Sequence, residues 1–200
     1  MLYNFFVAIL KVILLPFFRV RVDGIENLKE DENFIICANH KSNFDPFLLA
    51  LVLPVRIHFM AKKELFENPL LAKLLSSVEV FPVDRHGKNM KSLRFSLKLV
   101  KEGKTLGVFP EGTRVKETKR ENMKEGVAFL SLKGKANILP VELISTYKPF
   151  KKSYIHVHEM LRVEDYLHLD NKTAMKKIED DVFEAIYKDH YVEEGENKWK

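Results

Sequence analysis

One cysteine, Cys37, stands in 200 residues, so no internal disulfide can staple the fold, and the chain suits a reducing compartment. Glycine and proline number 8 each, too few for a collagen-like or low-complexity chain, and 46% hydrophobic with 30% charged residues exclude a disordered one. There is no internal repeat and no linker, and the length is too short for two ordinary domains, which leaves one folding unit. No uninterrupted apolar run reaches the roughly 20 residues that a membrane-spanning helix needs. The formal charge of +5 favours an anionic partner, and a lipid surface or a small phosphorylated substrate both qualify. Nucleic acid is set aside, because no stacking platform or recognition motif accompanies the charge.

Acidic residues are missing from the first 22 positions, MLYNFFVAILKVILLPFFRVRV, where the only charges are Lys11, Arg19 and Arg21. Lys11 falls mid-run and Pro16 ends or kinks the helix after about 15 residues, some 22 Å of rise against a core of ~30 Å, so spanning is disfavoured. A secretory signal is disfavoured too, since no Lys or Arg precedes the apolar run and no small-x-small site follows it. On a helical wheel Asn4, Ala8 and Lys11 share a narrow polar face, while Phe5, Phe6, Ile9 and Ile13 belong to the broad apolar remainder. That pattern predicts a membrane-anchoring segment over 1–22 that lies in the interface. A buried core helix is the alternative.

Downstream, strand and helix patterns alternate. Residues 18–22 read as a half-exposed strand closed by Asp23-Gly24, and Phe34-Ile35-Ile36-Cys37-Ala38 reads as a buried parallel strand. Further strands are expected at 56–60, 78–83, 105–109, 138–144 and 153–159, with helical stretches at 46–53, 63–76, 89–102 and about 171–188. Gly103 suits the end of the third helix, and Asn171 is the expected N-cap of the last. The order implies an α/β fold: a single-domain, mixed, largely parallel sheet flanked by helices behind the N-terminal membrane-interface helix. The main domain is placed at 23–190, with 191–200 as a frayed tail.

Three blocks carry candidate chemistry. Asn39-His40-Lys41-Ser42-Asn43-Phe44-Asp45-Pro46 follows the buried strand, which puts His40 at the carboxyl edge of the sheet, a usual place for ligands in such folds. A histidine can accept a proton near neutral pH, and a carboxylate five residues on can hold its tautomer. Alternatively Asp45 caps a helix that has Pro46 at its first position, and His40 is an ordinary loop residue. Phe81-Pro82-Val83-Asp84-Arg85 ends a predicted strand; Arg85 suits a phosphate or a surface ion pair. In Phe109-Pro110-Glu111-Gly112-Thr113-Arg114 a strand enters a tight turn, where Gly112 permits close backbone approach, Glu111 can accept a hydroxyl bond and Arg114 can bind an anion. Alone, this third block also reads as a turn with a salt bridge.

Taken together and in this order, NHKSNFD at 39–45, FPVDR at 81–85, FPEGTR at 109–114 and ILPVEL at 138–143 resemble the four blocks of the glycerolipid acyltransferases, most of all the bacterial 1-acyl-glycerol-3-phosphate acyltransferases. Weaker likeness extends to Met60-Ala61-Lys62-Lys63-Glu64-Leu65 and Lys124-Glu125-Gly126. The resemblance implies transfer of a fatty acyl group from an acyl thioester to the 2-hydroxyl of lysophosphatidic acid, giving phosphatidic acid. His40 would be the base, Asp45 its orienting partner, and Arg85, Glu111, Gly112, Thr113 and Arg114 the glycerol-phosphate site; Pro140 would shape its back. The donor would be acyl-acyl carrier protein or acyl-coenzyme A, with no cofactor and no metal, at the cytoplasmic face of the cell inner membrane. Two positions depart from the family pattern: Glu79 stands where glycine is common, and Val115 where serine is.

Other readings stay in view. A glycerol-3-phosphate or other lysophospholipid acyltransferase, or a non-catalytic lipid-binding membrane protein, would use much the same groove. Cys37 as a hydrolase nucleophile is disfavoured by its place in an apolar strand. His156-x-His158 could hold a metal, yet alternating polar residues on an exposed strand explain the pair. Lys91, Arg94, Lys98 and Lys101 form a basic helix stripe, either a solvated face or a dock for the donor's anionic body.

Overall fold

The computed structural model describes residues 7–9, 11, 12, 15, 16, 18–83, 90–115 and 119–187. Strands β1 (Val20–Asp23), β2 (Phe34–Ala38), β3 (His58–Lys62), β4 (Val80–Val83), β5 (Leu106–Val108), β6 (Asn137–Ser145) and β7 (Ser153–Val157) form one sheet in the order β1-β7-β6-β2-β5-β3-β4. All pairings are parallel except β6 with β7. The described α-helices are α1 (Asp45–Val52), α2 (Pro69–Ser77), α3 (Met90–Lys101), α4 (Gly126–Gly134) and α5 (Asn171–Tyr187).

β2 shows why the sheet must be covered on both sides. Its side chains alternate, so Ile35 and Cys37 enter one apolar cluster with Leu99 and Val100 of α3, Val127 and Leu130 of α4, and Ile178 and Val182 of α5. Phe34, Ile36 and Ala38 enter the opposite cluster with Leu48 and Leu49 of α1. A strand buried on both faces needs an unbroken apolar run, and FIICA supplies it. β1, at the sheet edge, keeps the alternating exposure its sequence predicts.

Several expected elements shift for physical reasons. The helix expected at 63–76 is a short 3₁₀ turn, Lys63–Phe66, followed by α2. Pro69 cannot sit in a helix interior; it occupies the first turn, and Asn68 before it is extended and caps the helix by accepting the Leu70 and Leu71 N–H groups. The cap of α5 is Asp170 rather than Asn171, since Asp170 Oδ1 accepts the N–H groups of Lys172 and Thr173 at 3.0 and 3.2 Å. Gly103 does end α3, at φ +70°. α4 was not expected.

At the N-terminus, residues 7–9, 11, 12, 15, 16 and 18 are helical; Ile9 and Val12 are exposed and Phe18 is buried. Phe5, Phe6 and Ile13 lie outside the described residues. No helix among the described residues is long and apolar enough to cross a membrane.

Candidate active site

β2 delivers the first block to the carboxyl edge of the sheet, where the chain turns through Asn39 and His40 into α1. Asn39 is fully buried and extends the ladder with its side chain: Nδ2 donates to the Leu143 carbonyl at 2.9 Å, and Oδ1 accepts the Leu143 N–H at 2.7 Å. His40 follows, with Nδ1 2.9 Å from Oδ2 of Asp45. The same oxygen accepts the N–H groups of Lys41 and Ser42, each at 2.7 Å, and Oδ1 accepts the Tyr147 hydroxyl at 2.5 Å. A carboxylate removed from water must find such partners, and Asp45, with no exposed surface, has them. Burial and the Asp45 carboxylate push the Tyr147 phenol well up, so it remains a donor. Asp45 makes no capping bond to α1 but reaches back to the loop, which removes the helix-cap alternative. Because Nδ1 serves the carboxylate, Nε2 is left for a substrate.

The third block braces the opposite side of His40. Phe109 stacks on the imidazole with ring centres 4.1 Å apart and planes 17° apart, and Phe59 stacks behind Phe109 at 5.9 Å. Val115 donates its N–H to the His40 carbonyl at 3.1 Å. Glu111, expected in the glycerol-phosphate site, is 3% exposed and lies behind the loop: Oε1 accepts the His40 backbone N–H at 3.3 Å and the Tyr187 hydroxyl of α5. Burial raises its carboxyl above the ordinary value, opposed by the bonds from Tyr187 and His40. Its place makes it a brace for His40 rather than a group facing the cavity.

Gly112 has φ +65°, and a Cβ there would meet Lys124 Nζ at 2.8 Å. The bare glycine therefore lets the Lys124 side chain cross the turn. Lys124 is held by its own N–H, which donates to the Pro110 carbonyl at 2.9 Å. Nearby, Arg120 bonds Asp180 at 2.6 Å and Glu179 at 3.0 Å on α5.

His40, Lys62, Thr113, Arg114 and Lys124 line one cavity of about 940 Å³, whose other walls include Phe59, Leu71, Leu75, Val80, Leu93 and Leu130. Cations, an imidazole and many apolar side chains lining one cavity suit an amphiphile with an anionic head. Thr113 and Arg114 are exposed, Pro140 pairs with Cys37 inside the sheet, and Arg85 lies outside the described residues. Cys37 is fully buried and burial raises its thiol, which makes it inert as a nucleophile. His156 and His158 meet edge to face with ring centres 4.5 Å apart. Lys62 and Lys124 were not expected as site residues, although both fall in the stretches of weaker family likeness. Tyr147 and Tyr187 left no local signal.

The fold and this cavity define an α/β protein with a histidine–aspartate pair at the carboxyl edge of its sheet, beside a cavity of cationic and apolar walls. The chain belongs to the acyltransferase family, whose model, described as Acyltransferase, matches residues 19–144. It is 36% identical over 180 residues to the 1-acyl-sn-glycerol-3-phosphate acyltransferase of Bacillus subtilis (strain 168), covering 87% of this chain and 89% of that one. The Borreliella burgdorferi protein of the same name is 28% identical over 181 residues, covering 84% and 72%. The crystal structure of the 1-acyl-sn-glycerophosphate (LPA) acyltransferase from Thermotoga maritima superposes with a TM-score of 0.71 at 25% identity, covering 99% of this chain and 80% of that one.

Proposed function

We propose that the protein is a 1-acyl-sn-glycerol-3-phosphate acyltransferase that makes phosphatidic acid. The observation that carries this reading is the His40–Asp45 pair at 2.9 Å, with His40 lining the same largely apolar cavity as Lys62, Arg114 and Lys124. Likeness over nearly the whole length of the Bacillus subtilis enzyme supports the substrate.

The chemistry follows from the groups. The acceptor hydroxyl attacks the thioester carbonyl carbon, its proton passes to Nε2 of His40, and a C–O bond forms as the C–S bond breaks. The proton then leaves with the thiolate as free thiol, so the enzyme returns unchanged and needs no covalent intermediate. Asp45 keeps Nδ1 protonated and stabilises the transient imidazolium. Arg114, Lys62 and Lys124 hold the phosphate and turn its binding into orientation of the attacking oxygen; Arg85 joins them on the resemblance alone. The apolar wall takes the acyl chain, at about 0.8 kcal/mol per methylene removed from water.

The donor is an acyl thioester of acyl carrier protein or coenzyme A, and the exposed stripe Lys91, Arg94, Lys98 and Lys101 on α3 fits the anionic body of either. The segment carrying Phe5, Phe6, Ile9 and Ile13 holds the enzyme at the cytoplasmic face of the membrane, where acceptor and product reside.

The test is acylation of 1-acylglycerol-3-phosphate by the purified full chain with each thioester. A base contributes roughly 10²–10⁴-fold, so His40→Ala should lower kcat at least ~100-fold while acceptor binding survives. Near-normal turnover by the folded variant refutes the His40–Asp45 pair as the base, and a wild-type chain that does not acylate refutes the activity.

A further inference from the structure

We propose that Tyr147 is a positioning residue for the His40–Asp45 pair: its hydroxyl, donating to Asp45 Oδ1 at 2.5 Å, fixes the carboxylate so that Oδ2 faces His40 Nδ1. The inference rests on the reading of His40 as the base.

The terminal torsion of an aspartate is soft, so a carboxylate held at one oxygen can still turn. Lys41, Ser42 and His40 all bond to Oδ2, and Tyr147 supplies the bond to Oδ1. Its backbone is set to reach there. Tyr147 lies just beyond β6 at φ +55°, a left-handed conformation that bulky side chains rarely adopt and that persists only where surroundings hold it. Here its N–H donates to Ser145 Oγ at 2.9 Å, and Ser145 Oγ meets Ser153 Oγ of β7 at 2.8 Å. The end of β6 thus grips the loop twice, through Leu143 on Asn39 and through Tyr147 on Asp45. Tyr147 packs against the apolar cluster under α1 and is not among the residues lining the cavity, so its effect on the reaction passes through Asp45.

The bond also spreads the carboxylate charge. Among the described residues, the other charged groups that bond this loop or share its cavity are Lys41 in the loop, Glu111 behind the His40 backbone, and Lys62, Arg114 and Lys124 on the cavity wall. Removing the phenol hydroxyl leaves more of the Asp45 charge to the imidazolium. The low-pH limb of kcat/KM should then move to higher pH.

Tyr147→Phe in the full chain keeps the ring and deletes the bond. We expect kcat to fall about tenfold, a small part of what a base supplies. KM for acceptor and donor should stay within about twofold, and the low-pH limb should move to higher pH. In an Asp45→Asn background the same change should cost nothing more, because it acts only through that carboxylate. An unmoved limb with unchanged kcat overturns the proposal, as does an equal loss in both backgrounds. If Tyr147→Phe fails to fold, Ser145→Ala loosens the same seat; it should move the limb in the same direction, and an unmoved limb overturns the proposal. A wild-type chain that does not acylate, or an active His40→Ala, defeats the functional reading instead.

Discussion

Gly107 is the point at which one methyl group should reach the His40 imidazole through two aromatic rings. It sits in β5 beside Phe59 of β3. A Cβ there would lie 2.7 Å from Phe59 Cδ1, closer still to Cε1, and 2.8 Å from Ile57 Cγ2. Carbon atoms pack at about 3.5–4.0 Å, so the Phe59 ring must move by roughly 1 Å. It is 5% exposed and cannot move outward; its free directions are the cavity and Phe109, which stacks on His40. Overpacking of this kind costs about 1–3 kcal/mol, which for a protein of this size lowers Tm by roughly 3–10 °C. A base displaced by about 1 Å can lose ~100-fold in rate; with part of the shift absorbed by Phe109, Gly107→Ala should cost at least ~10-fold in kcat. Calorimetry and a radiolabelled acceptor assay measure the two. Phe59→Leu in the Gly107→Ala background removes the collision, so the double variant should be more stable than the sum of the single changes by about 0.5–3 kcal/mol. Wild-type Tm and kcat in Gly107→Ala, or strict additivity in the double variant, refutes the coupling.

How much of this was legible in the sequence depended on how local the cause was. FIICA declared a strand buried on both faces because both faces had to be apolar, and the turn after it placed His40 at the sheet edge. α4 escaped because it opens on Gly126 and carries Phe129 and Leu132 on the side away from its buried residues, leaving no polar stripe to reveal a helical period. The Asp45 role was ambiguous because a helix cap and a partner for histidine need the same residue type near the same place. Only the direction of the carboxylate decides between them, and it points back to the loop, where Oδ2 accepts the N–H groups of Lys41 and Ser42. The family resemblance places Glu111 in the glycerol-phosphate site, and no local pattern reveals that its carboxylate meets the Tyr187 hydroxyl, 76 residues away. Tyr147 is 102 residues from Asp45, and contacts at that separation leave no spacing to read.

Two further changes test the departures from expectation. Glu79, where the family resemblance leads one to expect glycine, has φ +62°, and its carboxylate faces Arg56 at 3.3 Å and His58 at 3.6 Å. The left-handed backbone costs about 1 kcal/mol, against roughly 0.2–1 kcal/mol for an exposed pair that salt screens. Glu79→Gly should therefore gain Tm relative to wild type as salt rises, and a loss that deepens with salt counts against the strain. Glu111→Gln addresses the brace. The folded protein holds the Glu111 proton more tightly than the unfolded chain does, because burial disfavours the charge. Its contribution to stability is therefore fully present below the ordinary glutamate value of 4.5 and is lost as pH rises through the higher folded value. Glutamine carries no such proton, and the other carboxylates cancel when the two proteins are compared. The difference in Tm, variant minus wild type, should thus climb from pH 4 to 7, while acceptor KM stays within about twofold because an oxygen still accepts the His40 N–H. A difference that stays level with pH contradicts the buried charge, and a large rise in acceptor KM at preserved Tm would return Glu111 to the substrate.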